Sequence, residues 1–172
     1  MNKKTCIDIE IDKLTRCIEN TVTRESYPTK VLSVAKEDLA KIKKDKTWTF
    51  DWDKEHKALN REVYKLTTLD NREVVQGLMS LEIKVDHVYM HLIESASFNR
   101  GKSKMYLGVP GNLVAYACKA AFERGFEGYV AFDAKTALIR HYQETLCATL
   151  FRGTKMYIST PAALRLVKQY FS

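Results

Sequence analysis

The stretch Gly108-Val109-Pro110-Gly111-Asn112-Leu113 carries the clearest chemistry in the chain. A glycine turn that leaves a strand and opens a helix aims several unpaired backbone N–H groups at one point, and that point attracts phosphate. Arg100, Lys102 and Lys104 precede the turn with no intervening acid, placed to meet phosphate oxygens or a nucleic-acid backbone. Other reactive groups lead elsewhere. Cys6, Cys17, Cys118 and Cys147 form no C-x-x-C pair, so neither a zinc site nor a disulfide framework is expected. Cys118 falls in an apolar helical stretch, the setting of a small buried thiol rather than of a nucleophile. His87 and His91 fall on one face of a strand about 13 Å apart by rise, too far to share a metal ion. No metal is expected.

These groups need a scaffold, and composition bounds it. The chain has 172 residues, 45% hydrophobic and 28% charged. That suffices for one well-buried core and is too little for two ordinary domains, so residues 1–172 are read as a single domain. Most of the net charge of +7 lies in the second part: 13 basic and 11 acidic residues stand before residue 61, 15 and 10 from there on. Such a surface serves solubility or tRNA binding, although no arginine-rich tail, RNA-binding aromatic motif or zinc finger accompanies it. No apolar run approaches the roughly 20 residues that span a bilayer. Met1-Asn2-Lys3-Lys4 leads into the alternation Ile7-Asp8-Ile9-Glu10-Ile11-Asp12 instead of the apolar core of a signal peptide. A cytoplasmic protein without a membrane partner, monomeric or homodimeric, is expected.

Apolar residues three and four apart predict short helices around residues 14–18 and 37–42. Pro28 breaks this region, and Trp48 and Trp52 predict an aromatic anchor onto the core. From residue 61 the pattern becomes that of strands. Runs at 63–67, 74–83 and 87–93, with a turn at Asp70-Asn71-Arg72, predict an antiparallel meander. In the third run Val88, Met90 and Leu92 alternate with Tyr89, His91 and Ile93, as in a central strand covered on both faces. A helix over 112–124 capped by Gly125, a buried strand over 128–132, a helix over 136–145, a strand over 155–159 and a last helix opened by Pro161 complete the order. The predicted fold class is α/β (α+β), a mixed, mainly antiparallel sheet flanked by helices, without internal repeats.

A meander, a glycine turn into a helix, a strand, and a helix bearing Arg140-His141-Tyr142-Gln143-Glu144-Thr145-Leu146 resembles the GCN5-related N-acetyltransferase (GNAT) superfamily over residues 62–159. In that family a Gln/Arg-x-x-Gly-x-Gly/Ala turn followed by leucine holds the pyrophosphate of acetyl-coenzyme A on its backbone amides. Alignment on Gly108 places Pro110 at the second small position and Leu113 at the leucine. Met105 stands where the family has Gln or Arg, with Lys102 and Lys104 nearby. Pro110 has no N–H to donate. The resemblance therefore implies coenzyme binding by Gly108, Val109, Gly111, Asn112 and Leu113. It adds Ile93 and Ser95, on the strand that would flank the acyl group and polarise its carbonyl.

What the resemblance implies for function is transfer of an acetyl group from acetyl-CoA, as co-substrate, directly to a primary amine. The acceptor is open: a small amine, a protein lysine or N-terminus, or aminoacyl-tRNA as in the acetyltransferase toxins. Tyr142 is placed beside the coenzyme sulfur as the acid that protonates the departing thiolate, a task suited to a phenol of pKa near 10. The amine attacks only when neutral, so a base must remove its proton; Glu82 and Glu94 are the first candidates and His91 the next. Residues 61–172 would form the acetyl-CoA-binding core and residues 1–60 the acceptor side. A catalytically degenerate interaction module on the same fold is the alternative, favoured by Met105 and Pro110.

Overall fold

The computed structural model describes residues 6–171. The N-terminal part contributes three short strands, β1 (Ile18–Asn20), β2 (Ser26–Tyr27) and β3 (Thr29–Ser33), and two short helices, α1 (Lys36–Lys44) and α2 (Trp52–Lys57). Branched and aromatic residues then form the expected meander, β4 (Glu62–Thr68), β5 (Gly77–Ile83) and β6 (Val88–Ser95). The short β7 (Tyr106–Leu107) leads into α3 (Val109–Glu123). After it come β8 (Val130–Asp133), α4 (Ile139–Leu146), β9 (Thr149–Arg152), β10 (Lys155–Ile158) and α5 (Thr160–Phe171).

The main sheet runs β3-β4-β5-β6-β8-β10-β9, and β2-β1-β7 forms a second, small one. Neighbours in the main sheet are antiparallel except β6 and β8, which are parallel because α3 carries the chain back between them. Strand alternation divides the core. Met79, Leu81, Val88 and Met90 face α3 and α5, where Val114, Leu113 and Leu166 close over them. Leu78 faces the other way, onto Leu39 and Ile42 of α1 and Trp52 of α2, and so does Leu92, against the expected alternation with Val88 and Met90. Leu81 pairs with Met90 and Ser80 with Leu92, so His91 is the extra residue of a β-bulge that reverses the faces beyond it. Trp52 is only 1% exposed, so the N-terminal part is anchored by the tryptophan as expected.

Two departures have simple causes. Residues 14–18 make no helix; a single turn is too short to offset its nucleation cost, and Ile18 instead opens β1, paired on both sides. β9 escaped the sequence pattern because it is an edge strand with all four residues exposed, so no burial period marks it. The helix over 136–145 appears as a 3₁₀ turn (Thr136–Leu138) followed by α4. Gly125 takes a left-handed φ of 82° just past α3, the conformation its capping role requires. Among the described residues no helix is long and apolar enough to cross a membrane.

Candidate active site

β6 pairs with β5 along its length but with β8 only through Val88–Val130, Tyr89–Ala131 and Met90–Phe132. Past Met90 the two strands part. The Ala96 N–H donates to Gln76 O on the β5 side (3.0 Å), so alternation turns the amides of Ile93 and Ser95 the opposite way, into the gap. There lies a polar pocket of about 320 Å³, lined on the β6 side by Ile93, Glu94, Ser95, Arg100, Lys104 and Pro110. Its far wall is Asp8, Ile9, Glu10 and Asp12.

That wall is a strand-like segment bonded away from β6. Ile7 N–H donates to Asp133 O (2.7 Å), and Lys135 N–H donates to Ile7 O (3.0 Å). The Tyr142 hydroxyl donates to Ile9 O (2.6 Å) and accepts from Ile9 N–H (3.1 Å). His141 Nε2 accepts from Ile11 N–H (2.8 Å). Ile7 and Ile11 sink into the core, which leaves the acids facing the pocket and solvent. Asp12 ends the segment with its carboxylate accepting from Gly108 N–H (3.1 Å) and Lys104 Nζ (3.1 Å).

The glycine turn is where it was expected, with neighbours the sequence did not reveal. Gly108 has φ 101°, closed to L side chains, and a Cβ there would stand 3.1 Å from both Cys17 O and Thr15 Oγ1. At Gly111 a Cβ would reach 2.5 Å from the Tyr170 hydroxyl and 3.1 Å from Lys13 O. Both glycines thus make room for residues 13–17 and for α5. Asn112 frames the turn: its N–H (3.1 Å) and its side-chain Nδ2 (2.7 Å) both donate to Gly108 O. Val109 and Leu113 are buried, and Met105 is exposed. With the Gly108 amide on Asp12 and the Asn112 amide on Gly108, Val109 and Gly111 are the amides left for a ligand among the described residues.

Tyr142 is fully buried, edge-on to Phe132, and burial holds its phenol well above the ordinary tyrosine range. Its proton is committed to Ile9. Glu94, 4% exposed, accepts from Thr49 N–H (2.7 Å) and Oγ1 (2.8 Å), Phe50 N–H (3.2 Å), Trp52 Nε1 (2.8 Å) and Arg100 (3.5 Å). Those donors fill its lone pairs. Glu82 sits apart on the α2 side, paired with Lys84 (2.7 Å), His91 (2.8 Å) and Arg61 (3.1 Å). Lys84, by hydrogen bond, holds it below the usual carboxylate range, while desolvation keeps His91 below its ordinary value in spite of Glu82. Of the three expected bases, Glu94 lines the pocket and Glu82 and His91 do not. The basic cluster before the turn is partly spent inside the protein, Arg100 on Thr47 O (2.6 Å) and Lys104 on Asp12. The residues that sequence reasoning missed are those of the strand-like segment 7–12, whose period-two alternation was the available signal.

A meander, a glycine turn into a helix, and a parallel strand that splays from its neighbour define the fold of the GCN5-related N-acetyltransferases. The chain is similar to the spermidine N-acetyltransferase of Vibrio cholerae in complex with CoA and spermine, with a TM-score of 0.52 and 14% identity over 79% of this chain and 98% of that one. Two chimeras of the same enzyme with hSSAT give TM-scores of 0.53 and 0.54, each at 16% identity, over 79% and 80% of this chain and 98% of theirs. No protein-family model matches the chain, and no curated protein matches its sequence.

Proposed function

We propose that the chain is an acetyl-CoA-dependent N-acetyltransferase acting on a primary amine. The observation that carries this reading is the parting of β6 from β8 after Met90, which turns the Ile93 and Ser95 amides into a pocket reaching the Gly108 turn. An extended, amide-bearing coenzyme arm pairs with such a free strand edge, and one of those N–H groups polarises the thioester carbonyl. The amides of Gly108, Val109 and Gly111, with Lys104, take the diphosphate. The ammonium gives one proton to water in the pocket, the neutral nitrogen bonds to the acyl carbon, and the C–S bond breaks. Tyr142 protonates the departing thiolate once its hydroxyl leaves Ile9, and the remaining proton lost by the nitrogen restores the phenol. Glu94, its lone pairs filled, acts by charge: with Asp8 and Glu10 it draws a cationic amine to the pocket. A polyamine of the kind bound by the Vibrio cholerae enzyme is the first acceptor to try.

Thermal unfolding with acetyl-CoA tests the reading. A ligand at 100 times its Kd stabilises the native state by about 2.7 kcal/mol, roughly 5–11 °C for a chain of this size. No shift at millimolar acetyl-CoA overturns it, and thiol release with spermidine then tests the acceptor. One observation favours a second reading, a non-catalytic module on the acetyltransferase fold: Asp12 occupies the Gly108 N–H and Pro110 offers none. The same measurement separates the two.

A further inference from the structure

The anion position of the glycine turn is filled by the chain itself. A carboxylate between a helix-opening N–H and an ammonium has the partners a phosphate would take, and Asp12 has both, Gly108 N–H and Lys104 Nζ at 3.1 Å each. One N–H cannot serve Asp12 and a phosphate oxygen at once, and the two anions repel. The same short segment also holds the Tyr142 hydroxyl, through both polar groups of the Ile9 backbone.

We propose that residues 7–12 form an intramolecular strap that closes the turn and engages Tyr142, and that an incoming diphosphate displaces it; that the diphosphate belongs to acetyl-CoA rests on the function proposed above. The attachments of residues 7–12 differ from those of the chain that follows them. Beyond Asp12 the chain is tied down: Gln169 Nε2 donates to Leu14 O (2.6 Å), Asn112 Nδ2 donates to Thr15 O (3.4 Å), and β1 pairs with β7. From Asp12 back to Ile7 the polar attachments go to Gly108, Lys104, His141, Tyr142, Asp133 and Lys135, while the β6 side is pocket. Release therefore frees the Gly108 N–H and the Tyr142 O–H in one movement. Coenzyme binding and arming of the acid are the same event. Because Ile7 and Ile11 are buried in the closed form, the open form is the minor one, and apparent ligand affinity is reduced by its fraction.

Amide hydrogen exchange in the full-length, isotope-labelled chain tests this, with inorganic pyrophosphate and CoA as separate probes. Each is expected to speed exchange at Ile9 and Ile11 by about tenfold or more at saturation, as those amides lose Tyr142 and His141. Asp12→Asn is expected to tighten pyrophosphate binding about tenfold, within the usual range of coupling between sites. Glu10→Gln removes the same charge from the same pocket without touching Gly108 or Lys104, and is expected to change it by less than about threefold. Binding of either probe with Ile9 and Ile11 still protected overturns the strap, as does an Asp12→Asn variant no tighter than Glu10→Gln, or one that binds neither probe. If pyrophosphate opens the segment while CoA binds no better than pyrophosphate and no acetyl transfer occurs, the strap stands and the acetyltransferase reading falls. Turnover with the segment protected gives the reverse.

Discussion

The two halves of β6 are held by different forces. Along Val88–Met90 the strand is sealed between β5 and β8, and its buried side chains are apolar. Along His91–Ser95 one edge is open, Glu94 and Ser95 are buried polar residues, and the neighbour across the gap is a segment whose bonds go elsewhere. Close packing gives the first half one arrangement. The second half depends on hydrogen bonds from side chains and loops, which a ligand of similar chemistry can replace. Ending one strand pairing after three residues thus leaves a rigid wall with a remakeable opposite side.

Four measurements sharpen or break that contrast, starting with the largest effect. Met90→Ala, in the sealed half, is expected to cost about 3–4 kcal/mol by urea unfolding, because a fully buried side chain leaves a cavity. Coenzyme affinity of the folded variant should be unchanged; a parallel loss of affinity erases the distinction between the halves. Glu94→Gln is expected to cost about 2–3 kcal/mol, since the amide NH2 confronts the donors of Thr49, Phe50 or Trp52. A neutral result would show that the carboxylate does not hold residues 49–52. Tyr142→Phe loses only hydroxyl bonds, about 1–2 kcal/mol, with faster exchange of the Ile9 amide. It should cut turnover with coenzyme affinity kept or improved, and unchanged turnover removes Tyr142 from the acid role.

The smallest effect is a pH dependence from the closed side of the sheet. Desolvation keeps folded His91 below its ordinary value, so near pH 6.5 the unfolded chain takes up a proton there that the folded one refuses. Stability from this residue is complete above that pH and declines as pH falls below it, by at most about 1.4 kcal/mol per pH unit. His91→Gln should flatten that part of the unfolding profile; an unchanged slope assigns it to other groups.

What the sequence disclosed follows the same division. The meander, α3 and the capping Gly125 were legible because burial on one face imposes a period on the residues, and a left-handed turn demands glycine. Gly108 and Gly111 were legible as a turn, yet their neighbours, residues 13–17 and Tyr170, come from distant parts of the chain, and no local pattern records such contacts. Tyr142 stands out only through its place in the order of elements, and its partner Ile9 lies 133 residues away. The alternation at residues 7–12 was visible and reads as a strand, but a lone strand-like run does not say which edge it joins. Glu94 looked like a base because a sequence shows a carboxylate and not the donors folded around it.

Cys147 takes a left-handed φ of 54°, the conformation that glycine adopts most readily, with its N–H closing α4 on the Tyr142 carbonyl. It is exposed, unlike Cys118, whose burial pushes its thiol up to about 12. A maleimide dye should therefore prefer Cys147 over Cys118, and with the half-buried Cys6 and Cys17 replaced by serine it sets a fluorophore at the end of the helix that carries Tyr142. Its emission becomes an optical gauge of that helix, readable in a stopped-flow instrument as pyrophosphate or CoA is mixed in.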